Sequence, residues 1–546
     1  MTILTSRGRK WAVAAAAAGL LTTTACGGGG GGGGNDAGTK TVAGVDKDFD
    51  SFVWALQQLP ASLDLAKDAT VNTQQVISLV TEPLERVSNN GAFHPGLAAK
   101  VSQPDPQSIV YELKPGTQFS DGTPLTADDA AWSLQHVTDA KGGAQTAGRV
   151  KSIESVTATN PTTVTVKLKF PDPTARDNLA VISYVQSKKA AEAAGAKLGT
   201  PAGLPVGSGP YVFKSSGPDK IQLEGNTKYT GTKPKAKQVS FVPIKDDNTG
   251  QLAMRSGSIG GAQVTNVKQI AQWNNVSGAQ TVQLPANVTS YLTLDTSKAP
   301  FNDIHARRAV AYSIDRKGVS KAVYGANGVV LQGLVPQTLL EGVAGSAEAA
   351  KSFLGTLPQY DLDKAKAKAE LAQSATPGGF SVTIPYTTSS PWAEPTILNL
   401  QENMKELGVT ITPKPESPEV WAKRIFAHDT PGIQSMQLIA TIPDPNAVLP
   451  RVVGQAGIAA PGLNLANWTT PQIENDVKTL TGSVDKSARW TATQSVLTQI
   501  SQELPYVPLY APNFVVALGK GFTFSEPVSQ GDILDGTWIL RVRATA

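Results

Sequence analysis

Imidazole and thiol chemistry have few places to occur in this chain of 546 residues, which holds four histidines, at positions 94, 136, 305 and 428, and one cysteine, Cys26. The histidines are too dispersed for a His-Glu-x-x-His or a Cys/His zinc spacing, so no dedicated transition-metal site is predicted. One cysteine leaves no intrachain disulfide framework. Serine chemistry has a single short match, Ser483-Val-Asp-Lys486, in the Ser-x-x-Lys arrangement of some hydrolases. That run precedes a helical pattern, where serine is a natural N-cap, and the capping role is the expected one. Outside the Gly27–Gly34 run, the Gly-x-Gly-x-x-Gly turn is absent, as are the Gly-x-Ser-x-Gly elbow and the Walker loop. The sequence therefore predicts no enzyme and no cofactor.

The elements that could position a binding site alternate between strand and helix. Ile109, Tyr111 and Leu113 alternate with polar or edge residues before Pro115-Gly116, giving a short strand. Val164, Val166, Leu168 and Phe170 alternate with Thr165, Lys167 and Lys169, giving a half-buried antiparallel strand closed by Pro171. Thr126 followed by Asp128 and Asp129 opens a helix with Ala130, Leu134 and Val137 as its apolar stripe. Ile304, Ala311, Ile314 and Val323 mark one further helix, and residues 364–373 and 396–407 read as two more. The chain is α/β with mixed sheets, long enough for two or three domains. The formal charge is +4, and removing three cations of a cleavable leader leaves about +1 on the remainder, a balance that does not point to nucleic acid.

That leader is the most legible segment. Arg7, Arg9 and Lys10 precede the apolar run Trp11–Leu21, the pattern of a signal peptide. Eleven residues rise about 16 Å as a helix, well short of the roughly 30 Å of a hydrocarbon core. The run ends in Thr-Thr-Ala-Cys26, which resembles a bacterial lipobox, with Thr23 standing where that motif usually has Leu. Cys26 is thus the candidate lipidation site, and Gly27–Gly34 a flexible tether. The expected protein is a soluble body held by lipid at the outer face of a membrane.

Tyr111-Glu-Leu-Lys-Pro-Gly-Thr-Gln-Phe-Ser-Asp-Gly-Thr-Pro-Leu-Thr-Ala-Asp-Asp129 resembles the signature of the family 5 extracellular solute-binding proteins, the peptide-binding subunits of bacterial ABC importers. Further blocks follow in the family's order, among them Gly207-Ser-Gly209-Pro-Tyr211, Pro300-Phe-Asn-Asp303 through Asp315-Arg316, Pro443-Asp444-Pro445 and Leu504-Pro-Tyr506 through Tyr510. The resemblance implies a periplasmic-binding-protein-like bilobal clamshell with an additional small α+β domain, of type II and cluster C-like. By analogy residues 1–26 are the signal peptide and 27–40 the tether. Residues 41–72, 203–282 and 505–546 form lobe I, 73–202 the small domain and 283–504 lobe II. Hinge closure over the ligand would present it to a permease and its ATPase subunits, the protein acting as a monomer without bond chemistry.

Candidate ligand contacts also rest on the resemblance. Many peptide-binding relatives read Trp-x-x-Asp-x-x-Asp-Pro before this Asp-Pro pair, and the first Asp receives the peptide's amino group. Here Leu438 and Thr441 stand in those places. A hydrogen bond to a charged group is worth roughly 1.5–3 kcal/mol, so a free-amine peptide should bind about ten- to 150-fold less tightly than with Asp. N-blocked or modified peptides, oligosaccharides and glycolipid headgroups are the alternatives, an envelope sensor or hydrolase the alternative outside binding proteins, and nickel is set aside for lack of clustered histidine. Besides Thr441, the expected contacts are Trp421 and Trp468, whose neighbourhoods resemble cleft-lining segments, with Trp392, Tyr291, Asp444 and Trp54. The Leu63-Asp64 pair accompanies Trp54 in a lobe I segment expected to face the cleft.

Overall fold

The computed structural model describes residues 44–545. The basic leader, Cys26 and the glycine run lie outside the described residues. The two strands read from period-two patterns form as Ser108–Leu113 and Thr163–Leu168 and pair antiparallel. With Ala98–Asp105 and Ile153–Asn160 they complete a four-stranded sheet in the small domain. Helix Ala127–Thr138 lies on that sheet with Ala130, Leu134 and Val137 buried. Its start is held by a capping box, in which the Thr126 backbone N–H and hydroxyl both donate to Asp129 Oδ2 at 3.0 and 2.8 Å.

Helix Lys364–Gln373 matches its expected range, and the pattern at 396–407 forms Ala393–Lys405. The single helix expected from Ile304 to Val323 is instead two, Ile304–Tyr312 and Arg316–Tyr324. Asp315 causes the break, because its carboxylate accepts the Gly318 N–H at 2.8 Å and starts a new helix. Ser483 is likewise not the N-cap expected of it. It closes helix Pro471–Gly482, while Asp485 caps Lys486–Glu503 through the Ser487 and Ala488 N–H groups.

Two further sheets, one of seven strands and one of four, define the halves of the clamshell. A mixed seven-stranded sheet orders strands Tyr211–Ser216, Ile221–Gly225, Ala236–Pro243, Phe49–Leu56, Gly261–Gln263, Phe514–Leu518 and Gln280–Leu284. A four-stranded sheet orders Gly328–Val330, Tyr506–Pro512, Val288–Leu294 and Ile433–Ile439. The chain leaves the first sheet at Leu284 and enters the second at Val288, then leaves the second at Pro512 and re-enters the first at Phe514. The crossovers are therefore residues 285–287 and Asn513. The return crossing expected near 504 lies one strand later, because Tyr506–Pro512 pairs with Val288–Leu294.

The apolar cores follow a different division. One cluster runs without interruption from Phe52, Trp54 and Trp538 in lobe I to Leu84, Tyr111, Leu134 and Val164 in the small domain. Lobe II buries its own clusters, one around Tyr291, Leu339, Val452 and Tyr506, another around Phe301, Ile384, Trp392 and Tyr510. Lobe I and the small domain thus share a core, and lobe II is joined to them by two short crossovers. Packed interiors resist shear, which makes those crossovers the compliant part of the molecule.

Candidate ligand-binding cleft

A cavity of about 110 Å³ lies where the three parts meet. The small domain contributes Gln74, Arg86, Ser88, Asn89, Arg149 and Tyr184 to its wall, lobe I contributes the helix Gln530–Asp535, and lobe II contributes Asn287 and residues 439–443. Local structure explains how these segments arrive there. Thr70 caps helix Val71–Ile77 by accepting the Thr73 N–H, which aims Gln74 at the cavity. Ser529 and Asp532 form a reciprocal capping box at the start of the lobe I helix, holding Asp535 at its far end. Thr441 follows the last residues of strand Ile433–Ile439, exposed to the cavity.

Asn89 ties the parts together. Its Nδ2 donates to the Pro285 carbonyl of the first crossover at 2.9 Å, and its Oδ1 accepts the Gly531 N–H at 3.2 Å. Asn287 is fixed on the lobe II side, where its Oδ1 accepts from Thr338 Oγ1 at 2.7 Å and its carbonyl from the Ala440 N–H at 2.8 Å. At Gly91, φ is +77° and an added Cβ would lie 3.0 Å from Gly342 Cα. A side chain there would force lobe II away from the small domain, so glycine is required by the close approach.

Charge is unevenly placed around the cavity. Arg86 Nε stands 3.9 Å from Asp535 Oδ2, too long for a hydrogen bond, and has no hydrogen-bond partner. Burial pushes the Asp535 carboxyl up to about 6, opposed by Arg86 and by hydrogen bonds from Thr537. Tyr184 is buried with its hydroxyl unpartnered, and burial raises its pKa. Burial also lowers the pKa of Arg149, and among the described residues no carboxylate or carbonyl pairs with it. A second, more polar cavity of about 130 Å³ adjoins, lined by Arg176, Asp177, Asp444, Lys486 and Arg489. There the guanidiniums are occupied: Arg176 binds Glu85 through two contacts of 2.8 and 2.7 Å, and Arg489 Nη2 binds both Asp444 oxygens at 2.6 Å. Asp177 is pushed well above the ordinary aspartate range by burial and by the Asp444 charge.

Of the seven contacts expected from sequence, Thr441 alone lines the three-sided cavity. Trp54 is wholly buried and donates through Nε1 to Gln75 Oε1 at 3.2 Å, fastening lobe I to the helix that carries Gln74. Leu63 and Asp64 are buried with it, and Asp64 holds His136 at 2.9 Å. Tyr291 and Trp392 are in the lobe II cores at 0% and 1% exposure, so neither ring is presented to a ligand. Trp468 is buried on a loop, its carbonyl accepting from Asn464. Trp421 is half-buried against the same core. Asp444 accepts the Asn446 N–H at 2.9 Å as a turn cap and is neutralised by Arg489. Prolines beside these tryptophans marked element ends, but not which face each ring would take. Arg86, Arg149, Tyr184, Asn287 and Asp535 are the cleft residues that sequence reasoning missed. Arg149 ends a short 3₁₀ turn, Ala147–Arg149, where no periodicity distinguishes it.

The family description "Bacterial extracellular solute-binding proteins, family 5 Middle" matches residues 92–460, more than half of the chain. The chain belongs to this family. This solute-binding protein is 26% identical over 438 residues to the probable D,D-dipeptide-binding periplasmic protein DdpA of Escherichia coli (strain K12), covering 78% of this chain and 81% of the relative. It is also 26% identical over 469 residues to the nickel-binding periplasmic protein of the same organism, covering 81% and 85%. Among solved structures, HbpA2 from Haemophilus parasuis superposes with a TM-score of 0.78 at 22% identity, over 91% of this chain and 100% of that one. The substrate-binding protein CtaP from Listeria monocytogenes gives 0.78 at 23%, over 92% and 100%. The fold is accordingly the α/β periplasmic-binding-protein-like clamshell of family 5. The family is one of extracytoplasmic binding proteins, and among the described residues no helix is long and apolar enough to cross a membrane.

Proposed function

We propose that this protein is the ligand-capturing subunit of an ABC importer for short peptides or peptide-like molecules, anchored through Cys26 and delivering its ligand to a membrane permease and its ATPase. The observation that carries this reading is the cavity at the joint of the three parts, where the lobe II wall is joined through the backbone to the other two parts only at residues 285–287 and Asn513. Ligand bridging the walls stabilises the closed arrangement by its contacts to both sides. At about 10–15 Å³ of such space for each water-sized atom, 110 Å³ holds roughly seven to eleven atoms, the scale of the smallest dipeptides. Relatives named for dipeptides, D,D-dipeptides and peptides support that class. Among the residues that line the cavity Tyr184 is the one aromatic, and its ring is buried, so the cavity offers no open ring face of the kind a sugar stacks upon, which speaks for a peptide over a glycan.

The test is native mass spectrometry of the purified protein before and after stripping by unfolding and refolding. A retained mass that fragments into amino acids is the expected result. A mass that fragments into hexoses or acyl chains overturns the peptide reading and leaves the fold untouched.

A further inference from the structure

In the four-stranded sheet of lobe II, Ile433–Ile439 leads to the cleft from one edge, and Gly328–Val330 forms the other edge. Beside that second edge lies a cavity of about 590 Å³, which shares no lining residue with the cleft. Val330, Leu331, Val335 and Leu354 give it apolar walls. A polar frame holds those walls apart. Arg316, 4% exposed, donates from Nη1 to the carbonyls of Leu331 at 3.1 Å and Pro508 at 3.3 Å. Gln359 Nε2 donates to the Gln332 carbonyl at 3.0 Å, and Thr338 is fastened to Asn287. The walls could close on one another only by breaking such bonds, each of which would leave a polar group unpaired. Small-molecule sites follow this plan, with about 300–1,000 Å³ of mainly apolar space and a few convergent polar groups.

The charges that line this cavity are unequally matched. Asp361 serves both cations, Lys317 at 2.8 Å and Arg316 at 3.4 Å, and the Lys317 ammonium holds its carboxyl below the usual carboxylate range. Glu341 accepts from Gln337 Nε2 at 2.9 Å and meets no cation among the described residues. We propose that this cavity is a second ligand site, separate from the cleft, for a small amphipathic amine whose apolar body lies among Val330, Leu331, Val335 and Leu354 and whose ammonium pairs with Glu341. An anionic ligand is disfavoured because Asp361 already occupies the two cations, and a neutral one leaves Glu341 without its counter-ion. The site also touches the hinge. Pro285, Ala286 and Asn513, three of the four crossover residues, line it. A ligand seated there and fitting one lobe arrangement better than the other shifts the hinge by that difference, and linkage makes the effect on the cleft reciprocal.

The experiment titrates the full chain with three probes that share one apolar body, 4-phenylbutylamine, 4-phenylbutanol and 4-phenylbutyrate, and maps each by amide hydrogen exchange. The amine should bind at least fivefold more tightly than the alcohol, and the acid more weakly than either. Protection should appear at residues 286–287, 329–332 and 354–361 and be absent at 439–443 and 530–535. Protection confined to the cleft segments, or no binding of the amine, overturns the site. Equal affinity of amine and alcohol overturns the role of Glu341. Glu341→Gln, which keeps an acceptor for Gln337, should lower the amine to the affinity of the alcohol and leave the alcohol unchanged. Val330→Trp, which fills the space, should weaken amine and alcohol alike by tenfold or more. If that variant melts early, Glu341→Gln decides alone: an amine affinity equal to wild type overturns the proposal. None of these outcomes bears on the peptide reading of the cleft.

Discussion

The two walls of the cleft are built on opposite plans. Lobe II presents Thr441 and aliphatic residues whose nearby polar groups, Asn287 and Thr338, satisfy each other. The small domain and lobe I present Arg86, Arg149, Tyr184 and Asp535, whose bonds are long, absent or shared. Among the described residues the first wall leaves no buried polar atom unpartnered, and the second leaves Arg86 Nε and Tyr184 Oη. The asymmetry teaches that the charged and unpartnered groups of the cavity belong to the body that shares one core, opposite a lobe II wall that carries no charge.

The largest effect tests whether the charged wall depends on that core. Trp54→Ala should cost about 3–5 kcal/mol in chemical denaturation, the range for emptying a large aromatic site, and should loosen the helix carrying Gln74. A loss below about 1 kcal/mol would mean that Trp54 is accessible and not part of the core. Next is the neutral wall. Thr441→Asp should favour a free-amine dipeptide over its N-acetyl form by about tenfold relative to wild type in isothermal titration, and an unchanged preference would remove Thr441 from contact with the ligand.

A third prediction concerns pH at the contact between small domain and lobe II. The folded state holds the Asp177 carboxyl above its unfolded value, so the folded protein binds the extra proton and stability falls as pH rises above about 4. Asp177→Asn removes this cost. Its gain in melting temperature over wild type should be absent near pH 3 and should grow through neutral pH; a gain that is flat with pH would show that the carboxylate is paired in the folded state. The smallest effect belongs to the self-satisfied wall. Thr338→Val, which breaks the bond to Asn287, should cost about 1 kcal/mol and leave peptide specificity unchanged.

How much of this was legible in sequence depended on whether a signal repeats. The strand at 163–168 was readable because Val164, Val166 and Leu168 recur with the pleat, and the helix at 127–138 because capping chemistry is local. The break at Ser313–Asp315 was hidden, since apolar residues on both sides keep the helical spacing while a single capping Asp ends it. Thr441, which lines the cavity, was singled out through a motif with fixed spacing. Arg149 and Asp535 could not be found that way, because their meeting depends on long-range assembly of segments nearly 400 residues apart in sequence and on what fails to pair with them. Trp392 and Tyr291 misled for the complementary reason: the sequence marks an aromatic as important without saying whether its face meets a ligand or the core.

The late strands Tyr506–Pro512 and Phe514–Leu518 have a consequence for how the molecule comes into being. Each sits in the interior of its sheet, the first between Gly328–Val330 and Val288–Leu294, the second between Gly261–Gln263 and Gln280–Leu284. A chain emerging from its amino end therefore reaches residue 500 with both sheets split. Neither half can finish before the other has almost everything it needs, and the final forty-odd residues zip both together. The small-domain sheet, built from residues 98–168, is complete long before that, so the two lobe sheets are the last to close.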